Sequence, residues 1–205
     1  MMLFSDLLNG QKILPIIQTS SVEEGVQIAK AMQEGGLNLV EVVLRSEASL
    51  AALSAIKDQV PGLLVGAGTV TDSDVLQQAI DAGADFIVTP AISPRLLDAL
   101  SCCKIPVLPG VSNTADILLA KEFGFTQMKF FPANLSGGAA FIKGVATVFP
   151  TISFCPTGGI NAENRQDYLA LNNVLAVGGT WVCQPQWLEN KQWQHISQAC
   201  KEANS

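Results

Sequence analysis

The stretch Thr126-Gln-Met-Lys-Phe-Phe-Pro132 decides how the rest of the chain is read. Its apolar run and aromatic pair suit a β-strand packed on both faces, yet a lysine sits at its centre. An ammonium buried without a partner is costly, so Lys129 predicts a chemical use for the amine. Working outward, the same kind of short β-rich run recurs as ILPII (13–17), NLVEVVL (38–44), LLVGAG (63–68), DFIVTP (85–90), IPVLPG (105–110), ISFCPTGG (152–159) and VLAVGG (174–179), which with TQMKFFP (126–132) makes eight. Segments of helical spacing lie between them: 22–32, 48–60, 72–82, 94–100, 115–123 and 139–149. Ser21, Ser46, Thr71, Ser93 and Asn161 stand where helix caps belong.

Alternation of strand and helix implies parallel strands joined by helical crossovers, and near-continuous apolar strands imply cover on both faces. Eight such units in residues 1–205 predict one domain, an α/β (β/α)8 TIM barrel, with brief loops because that fold usually takes about 250 residues. An open doubly wound sheet is the rival. No G-x-G-x-x-G follows the first strand, and Gly66-Ala-Gly68 is too short a fragment to serve. No linker, low-complexity tract or charge block interrupts the chain.

Composition narrows the partners. The 205 residues are 48% hydrophobic and 15% charged, enough for one large core. A net charge of −6 with an isoelectric point near 4.7 argues against nucleic acid or an anionic membrane surface. The five cysteines are odd in number, include the adjacent Cys102 and Cys103, and have no C-x-x-C spacing, which fits a reducing cytoplasm better than a disulfide framework or a zinc site. The N-terminal MMLFSDLLNGQK lacks the form of an export signal, and no apolar stretch reaches the roughly 18 residues of a membrane span. The expectation is a soluble cytoplasmic protein.

In a barrel of this kind the chemistry sits at the C-terminal ends of strands, on side chains of one parity. Glu41, Val43 and Arg45 share the inward parity of the second strand, leaving Val40, Val42 and Leu44 for the helices. Lys129 shares parity with Gln127 and Phe131, leaving Met128 and Phe130 outward, and Thr69 follows Gly68 at the end of the third strand. Glu41 and Lys129 could still be a structural ion pair, and Arg45 a solvated residue ahead of a helix. The other lysines, 12, 30, 57, 104, 121, 143, 191 and 201, fall in helices or loops and read as surface. His195 is the single histidine, in an amphipathic C-terminal segment, so imidazole-based metal chemistry and a Ser-His-Asp triad are both disfavoured. A desolvated lysine beside a carboxylate serves Schiff-base catalysis, in which the amine condenses with a ketone and the iminium acts as an electron sink. Pro156-Thr-Gly-Gly159 and Gly178-Gly-Thr-Trp181 follow the seventh and eighth strands, where many barrels bind phosphate; the plainer reading is two tight turns.

Taken together, EVVLR (41–45), GAGTV (66–70), IPVLPG (105–110), KFFPA (129–133), FCPTGG (154–159) and GGTW (178–181) closely resemble the 2-keto-3-deoxy-6-phosphogluconate aldolases, many of which also cleave 2-keto-4-hydroxyglutarate. The similarity runs in matching order from Ile13 to beyond Trp181. It implies a metal-free class I lyase on a (β/α)8 barrel, a homotrimer, that needs no cofactor and splits a phosphorylated keto acid into pyruvate and glyceraldehyde 3-phosphate in the Entner–Doudoroff pathway. It also assigns roles: Lys129 to the Schiff base, Glu41 to acid–base work, and Arg45 and Thr69 to the pyruvyl carboxylate. Gly158, Gly159, Gly179 and Thr180 fall at the phosphate end, and Pro90 and Phe131 among the substrate contacts. The chain departs from the family pattern at Val43 for Thr, Ala91 for Gly, Asn134 for Glu and Thr180 for Ser. Ala91 and Asn134 border the expected mouth, where they bear on loop shape and sugar preference.

Overall fold

A computed structural model describes residues 2–205. Strands β1 (Ile13–Ile17), β2 (Leu39–Val43), β3 (Leu64–Gly68), β4 (Phe86–Val88), β5 (Val107–Leu108), β6 (Gly110–Val111), β7 (Gln127–Phe130), β8 (Ser153–Pro156) and β9 (Val177–Gly179) alternate with helices. Pro109 breaks the fifth predicted strand into β5 and β6, because proline gives the ladder no donor. Every pairing is parallel, in the orders β5-β4-β3-β2-β1-β9 and β6-β7-β8. Parallel bridges from Phe154 to Val174 and from Thr157 to Gly178 join β8 to the run that becomes β9. With β5 continuing into β6, the eight staves form the expected TIM-type barrel.

The outer ring comprises α2 (Val22–Glu34), α3 (Ser49–Gln59), α4 (Ser73–Asp81), α5 (Pro94–Ser101), α6 (Thr114–Glu122), α7 (Gly138–Val145) and α8 (Arg165–Leu169). Ser21 and Ser93 cap α2 and α5 as expected, accepting hydrogen bonds from the Glu24 and Leu96 N–H groups. Elsewhere the cap moves. Asp72, not Thr71, caps α4, since its carboxylate reaches both the Asp74 and Val75 N–H groups. Ser46 stands ahead of α3 without capping it, and its hydroxyl donates instead to the Thr19 carbonyl at 2.7 Å. Asn161 accepts from Glu163 and Asn164 one turn before α8. The helix expected over 139–149 ends at Val145, and the C-terminal amphipathic segment is two helices, α9 (Pro185–Glu189) and α10 (Trp193–Asn204), broken where Lys191 takes φ +53°.

Two apolar layers result. Val40, Val42, Met128, Phe130 and Phe154 face outward and pack with the helices, as the parity of their strands dictates. Phe4, Leu8, Leu14, Leu39, Phe86, Val88, Leu108, Cys155 and Ala176 fill the lower lumen. Phe4 and Leu8 belong to α1 (Phe4–Leu8), an element without a counterpart in the sequence reading. It closes the N-terminal end of the barrel, where Phe4 meets the edge of Phe86 with ring centroids 5.2 Å apart. The Gln127 side chain secures it, accepting from the Ser5 N–H at 2.9 Å and donating to the Ser5 hydroxyl at 2.8 Å.

Candidate active site

Two residues above Gln127 on the same face of β7, Lys129 enters the upper lumen with 3% of its surface exposed. Glu41, fully buried, comes from β2 across the barrel and places Oε1 3.5 Å from Lys129 Nζ. That separation exceeds the about 2.7–2.9 Å of a charge-assisted hydrogen bond, and neither Glu41 oxygen has a hydrogen-bond partner among the described residues. The Phe131 ring lies 5.0 Å from Nζ, within cation–π range.

Lys57 provides a contrast. Read from sequence as a surface residue, it is partly buried, and its Nζ meets both oxygens of Asp85 at 2.7 Å while the Val65 N–H adds a third bond to the same carboxylate. That pair is satisfied on every side that matters for folding. The Lys129–Glu41 pair is not, and buried polar groups left unpaired mark places where another molecule is expected.

The pair adjoins a cavity of about 200 Å³ at the C-terminal end of the barrel. Lys129, Phe131 and Arg45 line one part of it; Gly158, Gly159, Gly179 and Thr180 line another. Glu41, Thr69 and Pro90 are not among its lining residues. Thr69, held at φ +64°, accepts a hydrogen bond from Arg45 Nε at 3.1 Å, so it acts on the cavity through the guanidinium. Pro90 packs its backbone against Gly110, the register partner of Lys129. The Arg45 Nη atoms take no partner among the described residues, which leaves a two-pronged donor facing the cavity. Gly158 and Gly159 adopt φ +100° and +75°, conformations that favour glycine, and their N–H groups likewise have no protein acceptor among the described residues.

Ile16, Gln18, Thr157 and Ile160 also line the cavity and were missed from sequence. The signal for Thr157 was present: it continues the inward parity of Ser153 and Cys155. The residue is 4% exposed, and its buried hydroxyl has no hydrogen-bond partner among the described residues. Cys155, the register partner of Lys129, has its thiol pushed up to about 12 by burial and then by the Glu41 charge, against the opposing pull of Lys129, so it is a neutral thiol at physiological pH. His195 does not line the cavity and sits on α10 beside Trp187. The described residues contain no group of three or more His, Cys, Asp or Glu placed to hold a metal ion.

A parallel barrel with an amine and a carboxylate buried together at its C-terminal mouth has the architecture of enzymes that form a lysine Schiff base. Comparison with known proteins narrows the class. The family model for KDPG and KHG aldolases matches residues 4–199. The 2-dehydro-3-deoxy-phosphogluconate aldolase of Pseudoalteromonas atlantica is 39% identical over 198 residues, 97% of this chain and 92% of that protein. The KHG/KDPG aldolase of Escherichia coli is 38% identical over 197 residues, 96% of this chain and 92% of that one. Among solved structures, a KDPG aldolase from Legionella pneumophila, with pyruvate captured at low pH as a covalent carbinolamine intermediate, superposes with a TM-score of 0.95 at 34% identity over 98% of both chains. The chain belongs to the KDPG and KHG aldolase family.

Proposed function

We propose that the chain is a class I aldolase that cleaves 2-keto-3-deoxy-6-phosphogluconate to pyruvate and glyceraldehyde 3-phosphate through a Schiff base on Lys129. The same site accommodates cleavage of 2-keto-4-hydroxyglutarate to pyruvate and glyoxylate. One observation carries the reading: a buried lysine and a carboxylate with no other partner, 3.5 Å apart beside an open cavity. Family membership and the trapped pyruvate of the Legionella relative support it.

Lys129 passes one ammonium proton to Glu41 and attacks the C2 ketone as the free amine. A second proton then moves from Nζ to the new alkoxide through a water, and Glu41 returns the first to the resulting hydroxyl, so that water departs, the iminium forms and Glu41 is again a carboxylate. The same carboxylate or water then takes the proton of the C4 hydroxyl. The C3–C4 bond breaks, its electrons move into the iminium to give an enamine, and the aldehyde leaves. Protonation at C3 and hydrolysis release pyruvate and restore the amine.

Arg45 grips the pyruvyl carboxylate through its two Nη atoms while Thr69 holds Nε. Gly158, Gly159, Gly179 and Thr180 receive the phosphate, with backbone N–H groups as donors, and Phe131 and Pro90 shape the pyruvyl end. No resident cofactor takes part. The enzyme works in the cytoplasm as a homotrimer; no helix among the described residues is long and apolar enough to cross a membrane. Light scattering that returned a monomer mass would overturn the trimer.

The test is reductive trapping. The protein is incubated with pyruvate, treated with borohydride and mapped by intact and peptide mass spectrometry. A single adduct on Lys129 is expected; a folded protein that acquires none would sink the Schiff-base reading.

A further inference from the structure

Strand β3 presents two glycines to the lumen, Gly66 and Gly68, and each is filled by a different neighbour. A methyl group on Gly66 would overlap the Phe86 ring. A methyl on Gly68 would stand 2.7 Å from Glu41 Cδ and 2.8 Å from Cγ, and would overlap Oε1. The register explains the offset. Glu41 pairs with Gly66 and Val43 with Gly68, so the Glu41 side chain runs along the lumen by one inward position to occupy the space over Gly68. No hydrogen bond fixes the carboxylate: its oxygens have no hydrogen-bond partner among the described residues, and the polar contact with Lys129 is a 3.5 Å ion pair.

We propose that Gly68 is a positioning residue for the acid–base step: its missing side chain is the notch that keeps the Glu41 carboxylate within reach of Lys129 Nζ. The inference rests on the Schiff-base reading above. Gly68 does not have the positive φ that favours glycine, so alanine fits its backbone, and the three atoms nearest to the added methyl all belong to the Glu41 side chain. An added methyl therefore displaces the carboxylate rather than the strand. A displacement of about 1 Å at a reacting group costs on the order of 100-fold in rate.

The experiment is a double-mutant cycle on the full chain with Gly68→Ala, Glu41→Ala and the pair together. Cleavage of 2-keto-3-deoxy-6-phosphogluconate is measured across pH, and pyruvate trapping on Lys129 is measured in parallel. Gly68→Ala should lower kcat by about 100-fold with KM little changed and should alter the pH profile. In the Glu41→Ala background the same methyl should cost nothing further. Equal losses in both backgrounds, or no loss in either, would overturn the inference. If Gly68→Ala alone fails to fold, recovery of the fold in the double mutant supports the steric relation, and failure there too overturns it. Trapping in the wild-type chain separates the two claims: its absence defeats the Schiff-base reading, whereas wild-type trapping alongside an unaffected Gly68→Ala defeats the notch alone.

Discussion

Gln127 and Lys129 sit two residues apart on one face of one strand, yet they belong to regions built on opposite rules. Below, Gln127 exchanges two hydrogen bonds with Ser5, and the lumen around it is packed with Phe4, Leu14, Leu39 and Phe86. Above, among the described residues, Lys129 has one loose ion pair, Glu41 has no hydrogen bond, and the Thr157 hydroxyl has none. The floor spends its polar groups on holding the barrel shut; the mouth leaves them unspent. Polar groups paired within the protein add stability, whereas unpaired ones lower it and are kept where a ligand completes them.

Substitutions at each level test that division. Lys129→Ala, at the mouth, should remove cleavage by at least about 10⁴-fold while circular dichroism still shows the fold, because among the described residues it supplies the one amine in the cavity wall. Substantial turnover in that variant would break the comparison outright. Glu41→Gln keeps the shape and removes the proton acceptor, so kcat for pyruvate release should fall by about 10²–10⁴-fold. A loss under about fivefold would return the pair to a structural role. Phe86→Ala, at the floor, should do the reverse: about 3–5 kcal/mol lost in urea unfolding, with turnover per folded molecule retained. The smallest effect is expected at Thr157→Val. Replacing an unpartnered buried hydroxyl by a methyl should raise the unfolding free energy by about 1 kcal/mol and lower kcat/KM, and a loss of stability would show that the hydroxyl is already satisfied in the free protein.

The barrel was legible because strand parity and apolar continuity are properties of consecutive residues. Val40, Val42, Met128 and Phe130 face the helices, and Glu41 and Lys129 the lumen, as period two requires. What escaped depends on partners distant in sequence. The short α1 carries little periodicity of its own and is held by Phe86 and Gln127, each more than 75 residues away. Thr71 and Asp72 are both good caps, and only the backbone path shows that Asp72 reaches two N–H groups. Lys57 looked like surface because Asp85 lies 28 residues on, in the turn before β4. At the site, charged residues in apolar strands stood out, whereas Ile16, Gln18 and Ile160 have unremarkable side chains and acquire meaning only from the cavity they border. The motif resemblance assigned Thr69 and Pro90 to the site; in the structure neither lines the cavity, and each touches a neighbour of it, Thr69 through Arg45 and Pro90 through Gly110, the register partner of Lys129.

The stopper formed by α1 has a consequence for traffic. A tube sealed at one end has a single door, so reactant, water and both products share one passage. With the proposed Schiff base on Lys129, the pyruvyl end of the substrate is the inner one and the aldehyde end lies at the glycine loops that line the same cavity. Departure is then a queue: the aldehyde goes first, water follows it in to free the tether, and pyruvate leaves last.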